Sequence, residues 1–333
     1  MSEGTSPQIG SNAQVKPAMR RVALIYNPAS GQISARRTAA IEEALAVFRE
    51  AGVAAEAMVT KEPGDATARA QEAVRQGFDA ILACGGDGTV HEIAQGLVGT
   101  DVALGVVPLG TANALASNLK LIGSPAKVAR ILLDATPVRV PVGRIHYQDI
   151  AGKPGVRYFV VAAGVGADAL LMSRLDARLK RRLGYIVYLL EAFRIWATDP
   201  FPLFQAAMAN GNGAPHVAEV SQLLAVRVRS FGGVLRELAP GATLYSGNLN
   251  LLAFATRSRL RYLRFLLAVV AGRHTFANNI ELYEATSVEC RTRNGSASKI
   301  FVEADGEVLG SLPVKLEVVP EALTLLIPPN VQP

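Results

Sequence analysis

Short apolar runs alternate with helix-compatible stretches through the first part of the chain. Apolar runs at 21–26, 53–60, 80–83 and 103–107 have the length and composition of buried strands. A strand that alternates with a helix is typical of right-handed βαβ units, which form a parallel sheet. This part is therefore predicted to be an α/β domain. The predicted helices cover about 34–51, 65–76, 90–98, 112–118 and 125–135.

In the second half the pattern changes to short β-like runs separated by turn residues, which is typical of an antiparallel sandwich. Two helical stretches, about 166–196 and 258–272, interrupt these runs. This change of pattern predicts an α/β domain at 20–142 and a β-rich domain at 143–328. The first 19 residues are polar and are predicted to be a disordered leader. The predicted strands of the last domain cover about 138–147, 156–163, 203–209, 216–230, 249–256, 279–290 and 299–303.

The composition narrows the classes of protein and partner. Half of the 333 residues are hydrophobic, which is enough for a sizeable core, and the net charge of +6 favours anionic partners such as nucleotide phosphates or an acidic membrane surface. Two cysteines, Cys84 and Cys290, form no disulfide framework and fit a reducing cytoplasm. The leader lacks the apolar core of a signal peptide, and without an apolar run of about 18 residues we expect no membrane span.

A glycine-rich segment at 85–89 connects the third predicted strand to the helix that follows it. Strand, glycine turn and helix N-terminus together direct backbone N–H groups at a phosphate. Asp87 puts a carboxylate among these amides, where it can orient Mg²⁺ or its waters, and Thr89 supplies a hydroxyl. The segment matches neither the Walker pattern nor the dinucleotide fingerprint. The alternative is a tight strand-to-helix turn in which Asp87 is only a buried cap.

Polar or glycine-rich loops follow all four predicted strands of the first domain. These loops hold residues 27–31, Thr60, residues 85–89 and residues 110–113. Taken singly, such loops are usually ordinary turns. Because ligands bind at the carboxyl ends of parallel strands, the four loops together predict one binding site at one edge of the sheet.

Four motifs stand in order along the chain: N-P-A-S-G at 27–31, G-G-D-G-T at 85–89 with Glu92, P-L-G-T-A-N at 108–113 and D-G-E at 305–307. Together they resemble the diacylglycerol-kinase-like lipid kinases, which include bacterial diacylglycerol and phosphatidylglycerol kinases and the sphingosine and ceramide kinases. The resemblance implies a Rossmann-like nucleotide domain, a β-sandwich lipid-substrate domain and an active site in the cleft between them. It also implies ATP as phosphate donor. The implied nucleotide-binding residues are Asn27, Pro28, Ala29, Ser30, Gly31, Thr60, Gly85, Gly86, Asp87, Gly88, Thr89, Glu92, Gly110 and Thr111.

The carboxylates of two motifs carry the expected chemistry. Phosphoryl transfer needs neutralisation of charge and a carboxylate that takes the proton of the acceptor hydroxyl. The resemblance implies Asp305 and Glu307 as the acid/base pair, with Asp87 as the third catalytic residue, and Asp87 and Glu307 are the carboxylates expected near Mg²⁺. Asp305 and Glu307 would lie on alternate faces of an extended segment unless Gly306 turns the chain. By itself, D-G-E is typical of a hairpin turn.

Three positions depart from the family's pattern, and at one of them Ala114 stands where many members carry Asp. His91 stands where the family usually has Asn, and without a second His or Cys nearby it is not expected to bind metal. Residues 241–248 resemble a stretch in which some bacterial members use an Asp to hold a structural Mg²⁺. Ser246 stands at that position here, so the side-chain ligand of such a site is missing.

Two basic stretches, about 173–196 and 257–273, also carry apolar residues at helical spacing. A basic amphipathic helix can lie in an anionic membrane interface. The alternative is a helix that packs its apolar face on the sandwich and leaves its basic face solvated. The first alternative predicts a cytoplasmic protein that associates peripherally with the inner face of the membrane.

The leading interpretation is an ATP-dependent lipid kinase that phosphorylates a hydroxyl of a diacylglycerol, sphingoid or ceramide type of lipid. The alternatives are an NAD kinase, which the N-P-A-S-G and D-G-E motifs disfavour, and a silent nucleotide or lipid sensor, which intact Asp87, Asp305 and Glu307 disfavour. No nucleic-acid partner is expected, because the basic residues lack interleaved stacking aromatics. The sequence leaves open the lipid and whether the chain forms a homodimer.

Overall fold

The computed structural model describes residues 19–28, 34–174, 185–211, 213–231, 241–270, 280–293 and 299–331. Four parallel strands form the sheet of the first half: β1 (Arg21–Tyr26), β2 (Ala54–Val59), β3 (Ala80–Gly85) and β4 (Ala103–Pro108). Their order, β2-β1-β3-β4, confirms the predicted α/β class. The helices of this half are α1 (Ser34–Glu50), α2 (Asp65–Arg75), α3 (Asp87–Leu97), α4 (Ala114–Asn118) and α5 (Pro125–Leu133).

The second half is predominantly antiparallel, as predicted for a β-sandwich. Three predicted runs are each two strands in the structure, with breaks next to Val160, Ser221 and Thr286. The strands are β5 (Thr136–Gln148), β6 (Pro154–Phe159), β7 (Ala162–Gly166), β8 (Phe204–Ala209), β9 (His216–Val220), β10 (Gln222–Val226), β11 (Leu249–Phe254), β12 (Ile280–Ala285), β13 (Ser287–Thr292), β14 (Phe301–Ala304) and β15 (Glu307–Ile327). The helices are α6 (Ala167–Arg174), α7 (Tyr185–Thr198) and α8 (Arg259–Val270).

Strand β15, which was not predicted, joins the two halves. It pairs antiparallel with β5 and then lies parallel to β4, with Thr324 opposite Ala103. Its last residues, including Leu323 and Leu325, are buried in the core of the first half. The last part of β15 therefore adds a fifth strand beside β4 in the sheet of the first half. The predicted boundary at 142–143 falls within β5 and stays a prediction.

The burial of each strand follows its sequence. Every residue of β3 is buried, as expected for a central strand of a parallel sheet. A second core lies within the sandwich and includes Phe159, Phe204 and Leu316. Among the residues that the model describes, no helix is long and apolar enough to cross a bilayer. The predicted leader lies outside the described residues, apart from Met19.

Candidate active site

Two loops at the carboxyl edge of the sheet touch through their main chains. The Leu109 N–H donates to the Gly85 carbonyl over 2.8 Å. A Cβ atom on Gly110 would lie 2.5 Å from the Gly86 Cα, which is closer than carbon atoms can approach. Only glycine at position 110 allows this contact. The pairing of the G-G-D-G-T and P-L-G-T-A-N motifs at one edge agrees with the prediction of a single site.

The Asp87 carboxylate binds the neighbouring loop. It accepts hydrogen bonds from the Asn113 N–H at 3.0 Å and the Ala114 N–H at 2.7 Å, and so caps α4. Asn113 has a φ of 50° and bonds through its side chain to both main-chain groups of Gly110. Asp87 therefore shapes the neighbouring loop rather than capping α3, the helix that it begins, which has no side-chain cap. Its role towards metal stays a prediction.

Arg37 ties the first motif to this edge. Its guanidinium donates to the Asn27 carbonyl and to the Leu109 carbonyl, both over 3.1 Å. Pro28 follows at the end of the described segment, and the predicted ATP contacts Ala29, Ser30 and Gly31 lie outside the described residues. Asn27 is thus brought to the loop that contains Gly110, as an ATP site at this edge requires.

Two other predicted ATP contacts have structural partners. Thr60, at the end of β2, is buried, and its N–H donates to the Tyr26 carbonyl over 3.0 Å. Glu92 accepts the Ala66 N–H at 3.2 Å and the Thr67 hydroxyl at its main-chain oxygen at 2.7 Å, so it holds the start of α2. By contrast, Gly88, Gly110 and Thr111 are exposed at the same edge, where a nucleotide can reach them.

Asp305 and Gly306 form the two-residue turn of the β14–β15 hairpin. Their φ values of 48° and 85° are those of a type I′ turn, so Gly306 does turn the chain. The Asp305 side chain is 4% exposed and points into the junction between the halves. Its carboxylate accepts three main-chain N–H groups at 2.9 Å, from Val160, Val161 and Ala162. Asp305 is therefore an anchored carboxylate rather than one open to a substrate.

The imidazole of His91 lies between both carboxylates of the D-G-E motif. Its Nδ1 is 3.1 Å from Asp305 Oδ2, and its Nε2 is 3.3 Å from Glu307 Oε2. The His91 side chain is 4% exposed, whereas that of Glu307 is 53% exposed and lies 4.0 Å from Arg157. The sequence singled out His91 only as a departure from the family's pattern. Its partners lie more than 200 residues away, so no local signal could identify them.

Residue Gln95, one turn after His91 on α3, fixes the same helix face to the second half. Its side-chain N–H donates to the Tyr158 carbonyl over 2.8 Å, and its oxygen accepts the Tyr158 N–H at 3.0 Å. Residues four apart lie on one face of a helix. On this face of α3, His91 therefore contacts the D-G-E turn and Gln95 contacts Tyr158 of β6, four and eight residues after Asp87 at the start of the helix.

The charges in this cluster follow from burial and from the carboxylates. Burial disfavours the His91 cation most strongly, but the Asp305 and Glu307 carboxylates outweigh it and raise the pKa of His91 to about 9. The same contact with His91 lowers the pKa of Glu307 below its ordinary value. At neutral pH the arrangement is an imidazolium between two carboxylates, and the half-exposed Glu307 is ionised.

A second acidic pair lies beneath the turn. Glu303 is 3% exposed and accepts the Gly306 N–H at 2.7 Å. Burial, with Asp168 beside it, raises the pKa of Glu303 well above its ordinary value, and burial raises the pKa of Asp168 to about 6. Burial thus disfavours the charged form of Glu303, and its side chain supports the turn through the hydrogen bond from the Gly306 N–H.

The protonation of His91 predicts a loss of stability in alkaline solution. Its pKa is about 9 in the folded chain against 6.5 when unperturbed, so the folded state binds the proton more tightly. The stabilisation, about 3 kcal/mol for such a shift, is complete below about pH 6.5 and is lost as pH rises through about 9. Urea unfolding of the protein and of His91→Asn across this range measures it. If the free energy of unfolding depended on pH in the same way in both proteins, the raised pKa of His91 would be contradicted.

Comparison with known proteins places this site in a family. Residues 21–145 match the diacylglycerol kinase catalytic domain, and residues 159–327 match the YegS C-terminal NAD kinase beta sandwich-like domain. A diacylglycerol kinase of Mycobacterium tuberculosis is 31% identical over 92% of this chain and 95% of its own. One of Bacillus subtilis is 29% identical over 89% and 92%.

A solved structure shares the fold. It belongs to a protein of Bacillus anthracis proposed to be a diacylglycerol kinase, with a TM-score of 0.77 and 23% identity over 97% of this chain and 100% of that one. The two domain matches together span most of the chain, and the sequence relatives align over nearly their whole length. The chain belongs to the diacylglycerol-kinase-like family of lipid kinases.

Proposed function

We propose that this protein is an ATP-dependent kinase that transfers the γ-phosphate to a hydroxyl of a membrane lipid. The observation that carries the proposal is the docking of the D-G-E turn on α3 through His91. His91 lies five residues after Gly86, which is about 7–8 Å along a helix axis. A phosphate bound at the start of α3 and an acceptor hydroxyl beside Glu307 would therefore share one site.

The roles of the two acidic residues differ in this proposal. Glu307 is half-exposed and ionised, so it is the carboxylate that takes the proton of the acceptor hydroxyl. Asp305 is buried and holds three main-chain N–H groups, so it positions the turn and His91. The backbone N–H groups at the start of α3 hold phosphate oxygens.

The family implies Mg²⁺ together with ATP, and the donor set fits this ion. Beside substrate phosphates, Mg²⁺ uses one or two carboxylates and keeps several waters. The Asp87 carboxylate lies at the start of α3, where phosphate would bind, and the Glu307 carboxylate is half-exposed. Asp87 and Glu307 would hold the ion, directly or through water, and the bound ion would neutralise phosphate charge.

A panel of acceptors tests the proposal against its alternatives. The protein is given ATP with mixed micelles that contain a diacylglycerol, a sphingoid base, a ceramide or phosphatidylglycerol, or with NAD in solution, and the release of ADP is followed. We expect release that depends on at least one lipid. Release that depends on NAD alone would establish an NAD kinase. Binding of ATP without release for any acceptor would establish a silent sensor.

We also propose peripheral contact of α7 and α8 with an anionic membrane. The helices are joined by a hydrogen bond of 2.7 Å from the Trp196 indole to the Arg259 carbonyl. Large apolar side chains stand exposed on both, namely Leu190 at 61%, Phe193 at 56% and Leu260 at 58%. Exposed arginines flank them, which suits an anionic interface. The basic residues at 178–182, which the sequence pattern also places in this helical stretch, lie outside the described part of the chain.

Reversing two charges on α8 is expected to weaken binding to vesicles. Exposed charges act over roughly 8–10 Å at physiological ionic strength, so binding of the parent should fall with added salt and with a lower fraction of anionic lipid. The variant Arg261→Glu/Arg264→Glu should bind several-fold more weakly in a vesicle sedimentation assay. The matched control, Arg75→Glu/Arg130→Glu, changes exposed arginines of the first half. Equal losses in both variants would contradict a specific membrane face.

A further inference from the structure

Arg227 is the largest fully buried side chain among the described residues, with 1% of its surface exposed. It follows β10, at the junction between the two halves. A buried guanidinium is ordinarily paired with a carboxylate, because an unpaired buried charge is strongly destabilising. Yet within the described ranges no Asp or Glu forms an ion pair with Arg227, and burial alone shifts its pKa. Its charge must be balanced in another way.

Main-chain carbonyls surround the guanidinium instead. Nη1 donates to the Asn248 carbonyl over 3.1 Å. Nη2 lies 2.9 Å from the Ser246 carbonyl, 3.2 Å from that of Leu244 and 3.0 Å from that of Pro141. Three of these four oxygens belong to one short loop before β11. The loop thus turns every second carbonyl towards the same cation.

The arginine remains charged in this place. Burial lowers its pKa to about 10, which is still well above neutral pH. Convergent carbonyl oxygens are also what proteins use for hard metal ions such as Ca²⁺ and Mg²⁺. The loop therefore has the donor set of a cation site, and a guanidinium occupies it.

The structural Mg²⁺ that the family resemblance implies for this loop does not fit. The carboxylate ligand is replaced by Ser246, whose hydroxyl accepts the Asn248 N–H at 3.1 Å. The carbonyl oxygens of Leu244, Ser246 and Asn248 already accept from Arg227. A divalent ion would have to share these oxygens with a buried positive charge, which is unfavourable.

We propose that Arg227 is a built-in cation that replaces a structural metal ion, so that the loop at 243–248 folds without divalent metal. This holds whichever reaction the protein catalyses. Arg227 is also a positioning residue: its N–H donates to the Val161 carbonyl over 2.9 Å, and the Val161 N–H donates to Asp305. Through the carbonyls of Pro141 on β5 and of Leu244, whose side chain lies in the core of the first half, the same guanidinium joins β5 to the loop before β11.

Chelation of the full-length protein tests the proposal without any nucleotide or lipid. The protein is treated with EDTA, and its thermal unfolding midpoint is compared in EDTA, in Mg²⁺ and in Ca²⁺. We expect the same midpoint in all three buffers. A midpoint that falls in EDTA and is restored by either ion would overturn the proposal. Failure of the proposed kinase activity would appear separately, as loss of ADP release with an unchanged midpoint.

Substitutions at Arg227 supply the second test. Arg227→Met removes the donor to four carbonyls and should lower the thermal unfolding midpoint by several degrees. Arg227→Lys keeps a cation, so its midpoint should lie between those of Arg227→Met and the parent protein. Arg75→Met, which removes an exposed arginine of α2, is the control and should leave the midpoint unchanged. A Met variant as stable as the parent would overturn the proposal.

A double substitution tests whether a divalent metal ion can replace the Arg227 guanidinium in this loop. In Arg227→Met/Ser246→Asp, a carboxylate stands beside the freed carbonyls, so Mg²⁺ or Ca²⁺ should raise the unfolding midpoint and EDTA should reverse the rise. Ser246→Asp alone should show no response to metal, because Arg227 still occupies the site. A folded double variant whose midpoint ignores metal would contradict the equivalence.

Discussion

Replacement of Glu307 by glutamine is expected to lower kcat by about 10²–10⁴, the usual effect of removing a general base. Glutamine keeps the shape of the side chain but cannot take the proton of the acceptor hydroxyl. The Glu307 side chain is half-exposed, so the free energy of unfolding should change by less than about 1 kcal/mol. Steady-state kinetics with a lipid acceptor and urea unfolding measure the two quantities.

The control for this experiment is Glu43→Gln, which changes an exposed glutamate of α1. It should leave both kcat and stability at the parent values. The KM for ATP of Glu307→Gln should stay near that of the parent if the residue acts mainly as a base, and the dependence on Mg²⁺ should change if it also holds the ion. Turnover of Glu307→Gln at the parent rate would show that the proton goes elsewhere.

Replacement of Asp305 by alanine is expected to destabilise the protein by about 3 kcal/mol or more, because each buried donor left without an acceptor costs about 1–3 kcal/mol. Three main-chain N–H groups, from Val160, Val161 and Ala162, and the His91 imidazole lose their acceptor together. Activity should fall as well, since the turn that carries Glu307 loses its anchor. Urea unfolding at neutral pH measures the loss of stability.

A matched control separates burial from simple capping. Asp149 also accepts two main-chain N–H groups, from Ala151 and Lys153, but in an exposed turn where water can replace it. Asp149→Ala should therefore cost about 1 kcal/mol or less. If Asp305→Ala proved as stable as Asp149→Ala yet inactive, Asp305 would be a directly catalytic group rather than the anchor assigned to it here.

The fold was largely predictable because its first half repeats a local pattern. Each strand of that half is an apolar run followed by a helix, and the structure places all four strands as expected. Strand β15 was missed because Pro313 and Pro320 interrupt it and its register shifts near both. Proline lacks the N–H group that donates hydrogen bonds between strands, so the sequence pattern of this segment did not predict a strand. Its pairing with β4 depends on residues more than 200 positions away.

The position of the candidate site could be predicted from the sequence, but the separate roles of its residues could not. The ends of β3 and β4 meet as their motifs indicate, because parallel strands present these ends at one edge. The difference between Asp305 and Glu307 was not predictable, since it depends on donors at 160–162 and on His91. Likewise, the burial of Arg227 among carbonyls arises only after β5 and the loop before β11 have packed against it.

Transfer of labelled phosphate tests the central claim most directly. The protein and Glu307→Gln are incubated side by side with ATP labelled in the γ-phosphate, Mg²⁺ and a bacterial lipid extract, and the organic phase is analysed by mass spectrometry. We expect label from the parent protein in a lipid phosphomonoester and far less from the variant. Label that stays entirely in the aqueous phase, or equal labelling of lipid by both proteins, would contradict a lipid kinase that uses Glu307 as its base.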